Sequence, residues 1–200
     1  MKKSLLAAAA LCALTTAGTA LAQQGEGPWL VRARAVSLQS ANSDSTNLGL
    51  SINDKIIPEV DISYFFSKNL AAELILTVPQ EHTLNSKTVG RDIGTLKHLP
   101  PTLLLQYHFD LAGYKPYVGA GVNFTRFSDV NLNVAGADIK STSTGGALQV
   151  GVDIPLSKSL YLNFDVKKVY IGTEVYLSGV KQGDFKVDPL LVGVGLGWRF

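Results

Sequence analysis

Residues 188–200, DPLLVGVGLGWRF, alternate so strictly that they suit only an extended backbone. Leu190, Val192, Val194, Leu196, Trp198 and Phe200 fall on one side, and Leu191, Gly193, Gly195, Gly197 and Arg199 on the other, because successive side chains of a strand point to opposite faces. One face is large, apolar and aromatic at its end. The other is small and then charged. A soluble sheet would bury the large face in a core; a membrane barrel would turn it to lipid, with the aromatic residues at the interface.

Seven earlier segments repeat the pattern. Val31, Ala33 and Ala35 oppose Arg32 and Arg34; Val60, Ile62, Tyr64 and Phe66 oppose Glu59, Asp61 and Ser63. LAAELILTVP (70–79) opposes Leu74 and Leu76 to Glu73 and Ile75, and TLLLQYHF (102–109) opposes Leu103 and Leu105 to Leu104 and Gln106. PYVGAGVNFT (116–125), GGALQVGVDI (145–154) and LYLNFDVK (160–167) follow the same rule. With the last segment these predict eight strands.

The second face carries charges of both signs on most strands: Arg32, Arg34, Glu59, Asp61, Glu73, Asp153, Asp165, Lys167 and Arg199. The connections decide between sandwich and barrel. Short ones hold 67–69, 110–115 and 155–159, whereas long polar ones cover about 39–56, 80–98, 127–141 and 172–185. Short turns at one end and long loops at the other describe an outer-membrane barrel. Closure also leaves no unpaired strand edge in lipid, where each unsatisfied backbone group costs several kcal/mol. The expected fold is all-β, an eight-stranded antiparallel up-and-down transmembrane β-barrel in the outer membrane of a Gram-negative cell.

The beginning of the chain agrees with export. Lys2 and Lys3, the apolar run from Leu5 to Leu14, and Ala20-Leu21-Ala22 have the form of a secretory signal peptide. Residues 1–22 are expected to be cleaved, leaving 23–200 as the barrel. Cys12 lies in the leader and follows Leu11, so neither a disulfide nor a lipid attachment is expected. Without the leader, 16 basic side chains face 16 acidic ones, a balance that gives no reason to expect a nucleic-acid partner.

KHLPPTLLLQYHF (97–109), PYVGAGVNFTRF (116–127) and DPLLVGVGLGWRF (188–200), in register on eight strands, carry a resemblance to the outer membrane protein W family that extends over the whole chain after the leader. The resemblance implies a narrow barrel with a largely apolar interior path and an association with uptake of small hydrophobic compounds. It also likens Phe200, with Trp198 before it, to the C-terminal signal read by the barrel-assembly machinery. Expected partners are therefore outer-membrane lipids, small hydrophobic solutes and that machinery.

Eight strands enclose a space that side chains can just fill. Arg32 and Arg34 neighbour Glu59 and Asp61 across a strand pair, so these four are expected to form an ion-pair plug. An ion-selective filter would show one sign of charge. Ile75, Leu104, Tyr161 and Leu191 are expected to line an apolar space above the plug. Lys167 interrupts that wall and needs Asp165 or Asp153 as a partner. The inward glycines either open the lumen or relieve crowding between strands.

Pro79, Pro100 and Pro101 flank one long connection and lack backbone donors, so ladder bonds must be missing there. A gap would let an apolar solute leave sideways into the bilayer; otherwise the prolines merely end strands. Pro58 is adjacent. No metal site is expected from His82, His98 and His108, whose spacing is not that of metal ligands, no cofactor is expected, and no nucleophile motif such as GxSxG occurs. His108 faces inward, but no enzyme is expected. The favoured reading is a passive conduit for small hydrophobic molecules. The alternative is a structural or surface-interaction barrel, an adhesin or receptor, with a plugged lumen.

Overall fold

The computed structural model describes residues 27–111 and 113–200; the signal-peptide segment lies outside the described residues. Fifteen strands and no helix are present among them. They are β1 (Trp29–Gln39), β2 (Ser43–Asp44), β3 (Leu50–Ile52), β4 (Lys55–Phe65), β5 (Leu70–Thr77), β6 (Gln80–Ser86), β7 (Arg91–Leu99) and β8 (Thr102–His108). Then follow β9 (Lys115–Leu132), β10 (Ala137–Ile139), β11 (Thr142–Pro155), β12 (Leu160–Val169), β13 (Gly172–Leu177), β14 (Val180–Lys186) and β15 (Leu190–Arg199).

Eight of these close a barrel in the order β11-β12-β15-β1-β4-β5-β8-β9, with β9 pairing back to β11. Every pair is antiparallel, and the seam between first and last strands runs from Leu30↔Arg199 to Gln39↔Leu190. Phe200 finishes the seam: its N–H donates to the Trp29 carbonyl at 2.9 Å, and its carbonyl accepts from Trp29 N–H at 3.0 Å. Each of the eight alternating segments lies on one of these strands, overrunning its ends by at most two residues. Two of the short turns use the same chemistry. Ser67 Oγ accepts from the N–H of Asn69 and Leu70, and Ser157 Oγ from that of Ser159 and Leu160, so a serine hydroxyl replaces ladder partners where the chain reverses.

The two faces separate as the alternation requires. Leu74, Leu76, Leu103, Leu105, Val118, Val122, Leu148, Val150, Val192 and Val194 are exposed on the outer wall, whereas Arg32, Asp61, Glu73, Gln106 and Asn163 are fully enclosed. Exposed apolar surface on this scale has a stable home only in lipid. An aromatic belt edges it near the short turns, with Trp29 against Tyr64 (4.8 Å between centroids), Tyr64 against Phe66 (5.3 Å) and Tyr107 against Phe109 (5.0 Å). Phe200 is exposed in the same belt and Trp198 is half-buried there.

The long connections depart from the expectation of loops. Segments 80–98 and 172–185 are largely hairpins, β6–β7 and β13–β14. β7 pairs with the upper half of β9 and β3 with β6. A second sheet, β10-β13-β14-β2, completes a raised rim. Polar outer faces with only one or two inward apolar residues per strand account for the missed elements.

Candidate conduit and its charged floor

The floor begins with the β1–β4 register, which sets Arg32 opposite Asp61 and Arg34 opposite Glu59. Arg34 Nε lies 3.0 Å from Glu59, and its Nη2 contacts Asp61. Arg32 reaches Asp61 at 3.1 Å, and it spans the lumen to Asp153, with Nη2–Oδ2 at 2.6 Å and Nε–Oδ1 at 3.1 Å. The four residues read from the sequence are therefore joined in one network. It is wider than those four. Glu73 contacts both arginines at 3.3 and 3.0 Å, and Asp165 lies 3.2 Å from Arg34. Lys167 Nζ is 2.6 Å from Glu59 and 2.8 Å from Asp165, so it is a member of the floor; Asp153 serves Arg32 instead.

Neutral groups add further hydrogen bonds to the network. Tyr117 Oη donates to Asp165 at 2.8 Å and accepts from Asn163 Nδ2 at 3.0 Å. Gln149 Nε2 donates to Glu73 at 2.9 Å and to Asp165 at 2.8 Å. Buried charges persist only when paired and hydrogen-bonded in this way. His108, inward-facing as its parity predicts, bonds Gln106 Oε1 at 3.0 Å and lies between Phe65 and Tyr117.

The inward glycines make room for the network rather than for a pore. A Cβ on Gly151 would collide with the Tyr117 ring, and one on Gly119 would stand 2.8 Å from Gln149 Oε1. On Gly197 it would meet Arg32 Cγ at 3.1 Å, and on Gly195 the backbone of Ala33. The alternate glycines of β15 thus let β1 lie close and its arginine stems lie flat.

Above the floor the interior turns largely apolar, apart from the hydrogen-bonded Thr102, Asn123 and Thr125 of β8 and β9. Ile75, Leu104 and Leu191 join Leu38, Ile57, Leu96, Phe127 and Phe185 in one buried cluster. Tyr161 does not belong there. It packs with Leu30, Phe65 and Ala71 in a small cluster near the short turns, below the floor. Its facing was legible from alternation, whereas its depth depends on strand register. The upper cluster leads to a cavity of about 230 Å³ inside the rim, walled by Leu50, Leu84, Ile93, Leu132, Val175 and Phe185 among others. A smaller cavity of about 20 Å³ lies directly over the floor, between Glu59 and Lys167 below and Ile57, Thr77, His98 and Pro100 at its sides.

The prolines interrupt the wall beside this smaller cavity. The β4–β5 ladder ends at Glu59↔Thr77 and the β5–β8 ladder at Ile75↔Thr102. Pairing resumes above at Gln80↔His98, and Asn53 receives His82 Nδ1 and Thr83 N–H at 3.0 and 2.9 Å. Between these limits, Val78–Pro79 and Pro100–Pro101 fall outside the strands. Lys55 to Pro58 pair with β1 on one side only among the described residues. The β8–β9 side stays closed, because Phe124 N–H donates to the Pro101 carbonyl at 3.0 Å. The break in the ladder is therefore confined to the edges around β5 and β6.

Comparison with known proteins agrees with this architecture. The OmpW family model matches residues 24–200. An uncharacterized outer-membrane protein, y4mB of Sinorhizobium fredii, is 40% identical over 186 residues, covering 88% of this chain and 81% of its own length. Outer membrane protein W of Vibrio cholerae serotype O1 is 32% identical, with both chains fully covered. Among solved structures, the outer membrane protein OprG of Pseudomonas aeruginosa superposes with a TM-score of 0.77 at 25% identity, covering 88% of this chain and 97% of that one. A closed eight-stranded barrel with a lipid-facing apolar wall, matched end to end by this family, makes the chain a member of the OmpW family, resident in the outer membrane of a Gram-negative cell.

Proposed function

We propose that the protein is a passive conduit for small hydrophobic molecules, which enter through the apolar rim and leave sideways into the bilayer through the window at Pro79, Pro100 and Pro101. The observation that carries this reading is the vertical order of the interior: an apolar cavity of about 230 Å³, then a fully ion-paired floor, with the break in the wall between them. A hydrophobic solute gains about 25 cal/mol per Å² of apolar surface removed from water, and it keeps that gain if it passes from apolar lining to acyl chains. Passage through the floor would instead require breaking buried ion pairs, at several kcal/mol for each charge left unpaired. No cofactor or energy source enters the scheme.

The test is the rate at which radiolabelled decane enters intact cells that lack the protein or carry it in folded form. Faster entry with the protein supports the conduit. Equal rates with folded protein would sink it in favour of a barrel whose rim binds partners and whose lumen carries nothing.

A further inference from the structure

One polar cluster in the apolar path takes no part in the floor. His82 on β6 and His98 on β7 are stacked, ring centroids 4.7 Å apart and planes 7° from parallel, and Phe127 closes the far side of His98 edge-on at 6.4 Å. Both rings are enclosed, with 0% and 1% of their surface exposed. They sit on the rim hairpin β6–β7, where His98 lies between half-buried Lys97 and Leu99, whose partners on β9 are Ser128 and the exposed Arg126. Burial lowers both ring pKa values, that of His98 to about 3, with Lys55 adding to the effect. The rings are therefore neutral at physiological pH.

Their hydrogen-bonding capacity is largely unused. His82 Nδ1 contacts the Asn53 carbonyl at 3.0 Å, and since a carbonyl only accepts, Nδ1 carries the proton and Nε2 is left as an acceptor. Among the described residues, His82 Nε2 and both nitrogens of His98 have no hydrogen-bond partner. Thr77 Oγ1 is likewise buried and unpartnered, and Thr77 and His98 line the same 20 Å³ cavity at the window. That volume holds one water-sized group. Each buried polar atom left unsatisfied costs about 1–3 kcal/mol, so an apolar residue at position 98 would serve a plain hydrocarbon path better.

The missing partner must both donate and accept, carry no charge, and be attached to something apolar. A carboxylate cannot donate and would sit beside Glu59 at the cavity base; an alkane can do neither. A hydroxyl meets all three requirements. We infer that His98, backed by His82 and joined by Thr77, forms a binding site for the hydroxyl group of an apolar alcohol or phenol, held at the point where the solute turns from the rim to the window. This assignment rests on the conduit reading and adds a preference for hydroxylated hydrophobic molecules over hydrocarbons.

The experiment compares entry of labelled 1-decanol and labelled decane into cells carrying the wild-type protein, the His82→Phe/His98→Phe double variant, or His98→Gln. Phenylalanine keeps a stacked aromatic pair and removes every ring nitrogen; glutamine restores a donor and an acceptor. The protein-dependent gain for decanol over decane is expected to be about 3- to 10-fold in the wild type, the worth of one net hydrogen bond. It should fall to about one in the double variant and recover in part in His98→Gln. If both solutes gain from the wild type but their ratio survives the double variant, the pair is a packing element and the assignment is wrong. If decane gains from the wild type but decanol does not, the assignment is wrong and the conduit stands. If neither solute gains from folded wild-type protein, the conduit itself fails and the assignment with it. Should the double variant misfold, nitrogen NMR of the histidine rings in wild-type protein in bilayers replaces it. Displaced His98 resonances on adding decanol support the site, and unmoved ones overturn it.

Discussion

Arg32 and Asp153 meet across the lumen, 121 residues apart in sequence, through two parallel contacts of 2.6 and 3.1 Å. Their strands, β1 and β11, are three apart in the barrel order, so the pair is a brace across the lumen. Arg32→Leu would leave Asp153 buried with Asn163 and without its cation. A loss of about 3–5 kcal/mol is expected, read as a lower urea midpoint for unfolding from lipid vesicles. An unchanged midpoint would mean that the brace contributes nothing to the fold.

The glycines offer a paired comparison. Gly151→Ala drives a methyl into the Tyr117 ring, whereas the nearest atom to a methyl at Gly146 is Tyr170 Cδ2 at 3.8 Å, an ordinary contact. The first change should cost about 1–3 kcal/mol by overpacking and the second should be close to neutral. Equal effects would show that Gly151 is not making room for Tyr117.

Facing is testable on adjacent residues of β8. Leu105 is 55% exposed on the outer wall, whereas Leu104 is 1% exposed inside. Leu105→Arg places a charge in lipid and should destabilise by about 2–4 kcal/mol if it lies near the midplane. Leu105→Ile should fold normally. An arginine tolerated at 105 would refute the orientation of this strand.

Acid should loosen the rim first. His98 is held neutral by burial, its pKa lowered from 6.5 to about 3, and His82 shifts in the same direction. Below pH 6.5 the unfolded rings take up protons that the folded rings refuse. Stability is therefore complete above that pH and declines as pH falls towards about 3. Lys55 opposes protonation of both rings, and Asp54 favours it at His82. Amide exchange in β6 and β7 should accelerate across this window, and less so in His98→Phe. Exchange independent of pH, after correction for its intrinsic rate, would contradict the burial.

The barrel was legible in the sequence because each spanning strand must show lipid one face and the lumen the other, and residues such as Val192 and Gly193 record that division. The joining of Arg32 and Arg34 to Glu59 and Asp61 was legible too, since they sit on barrel strands that follow one another, although which arginine faces which carboxylate comes from the register. Asp165 was legible as one of two partners for Lys167, whereas Glu73 had no assigned partner and Asp153 was not joined to Arg32, because contacts across the lumen depend on how the closed sheet is staggered. The same ignorance of depth put Tyr161 on the wrong side of the floor. The rim strands escaped notice because QEHTLNS and RDIGTLKHL carry few apolar residues, and the stacked histidines 82 and 98 are 16 positions apart with no shared motif.

The window is the most direct point of attack. Decane entry should be measured in cells carrying the wild-type chain and in cells carrying Pro79→Val/Pro100→Val/Pro101→Thr, with folding of both confirmed by heat-modifiable mobility. Restoring three backbone donors should let the ladder close beside the small cavity and bring entry down to the level of cells without the protein. Undiminished entry through a folded triple variant would contradict lateral release and require a path through the floor of Arg32, Arg34 and Lys167.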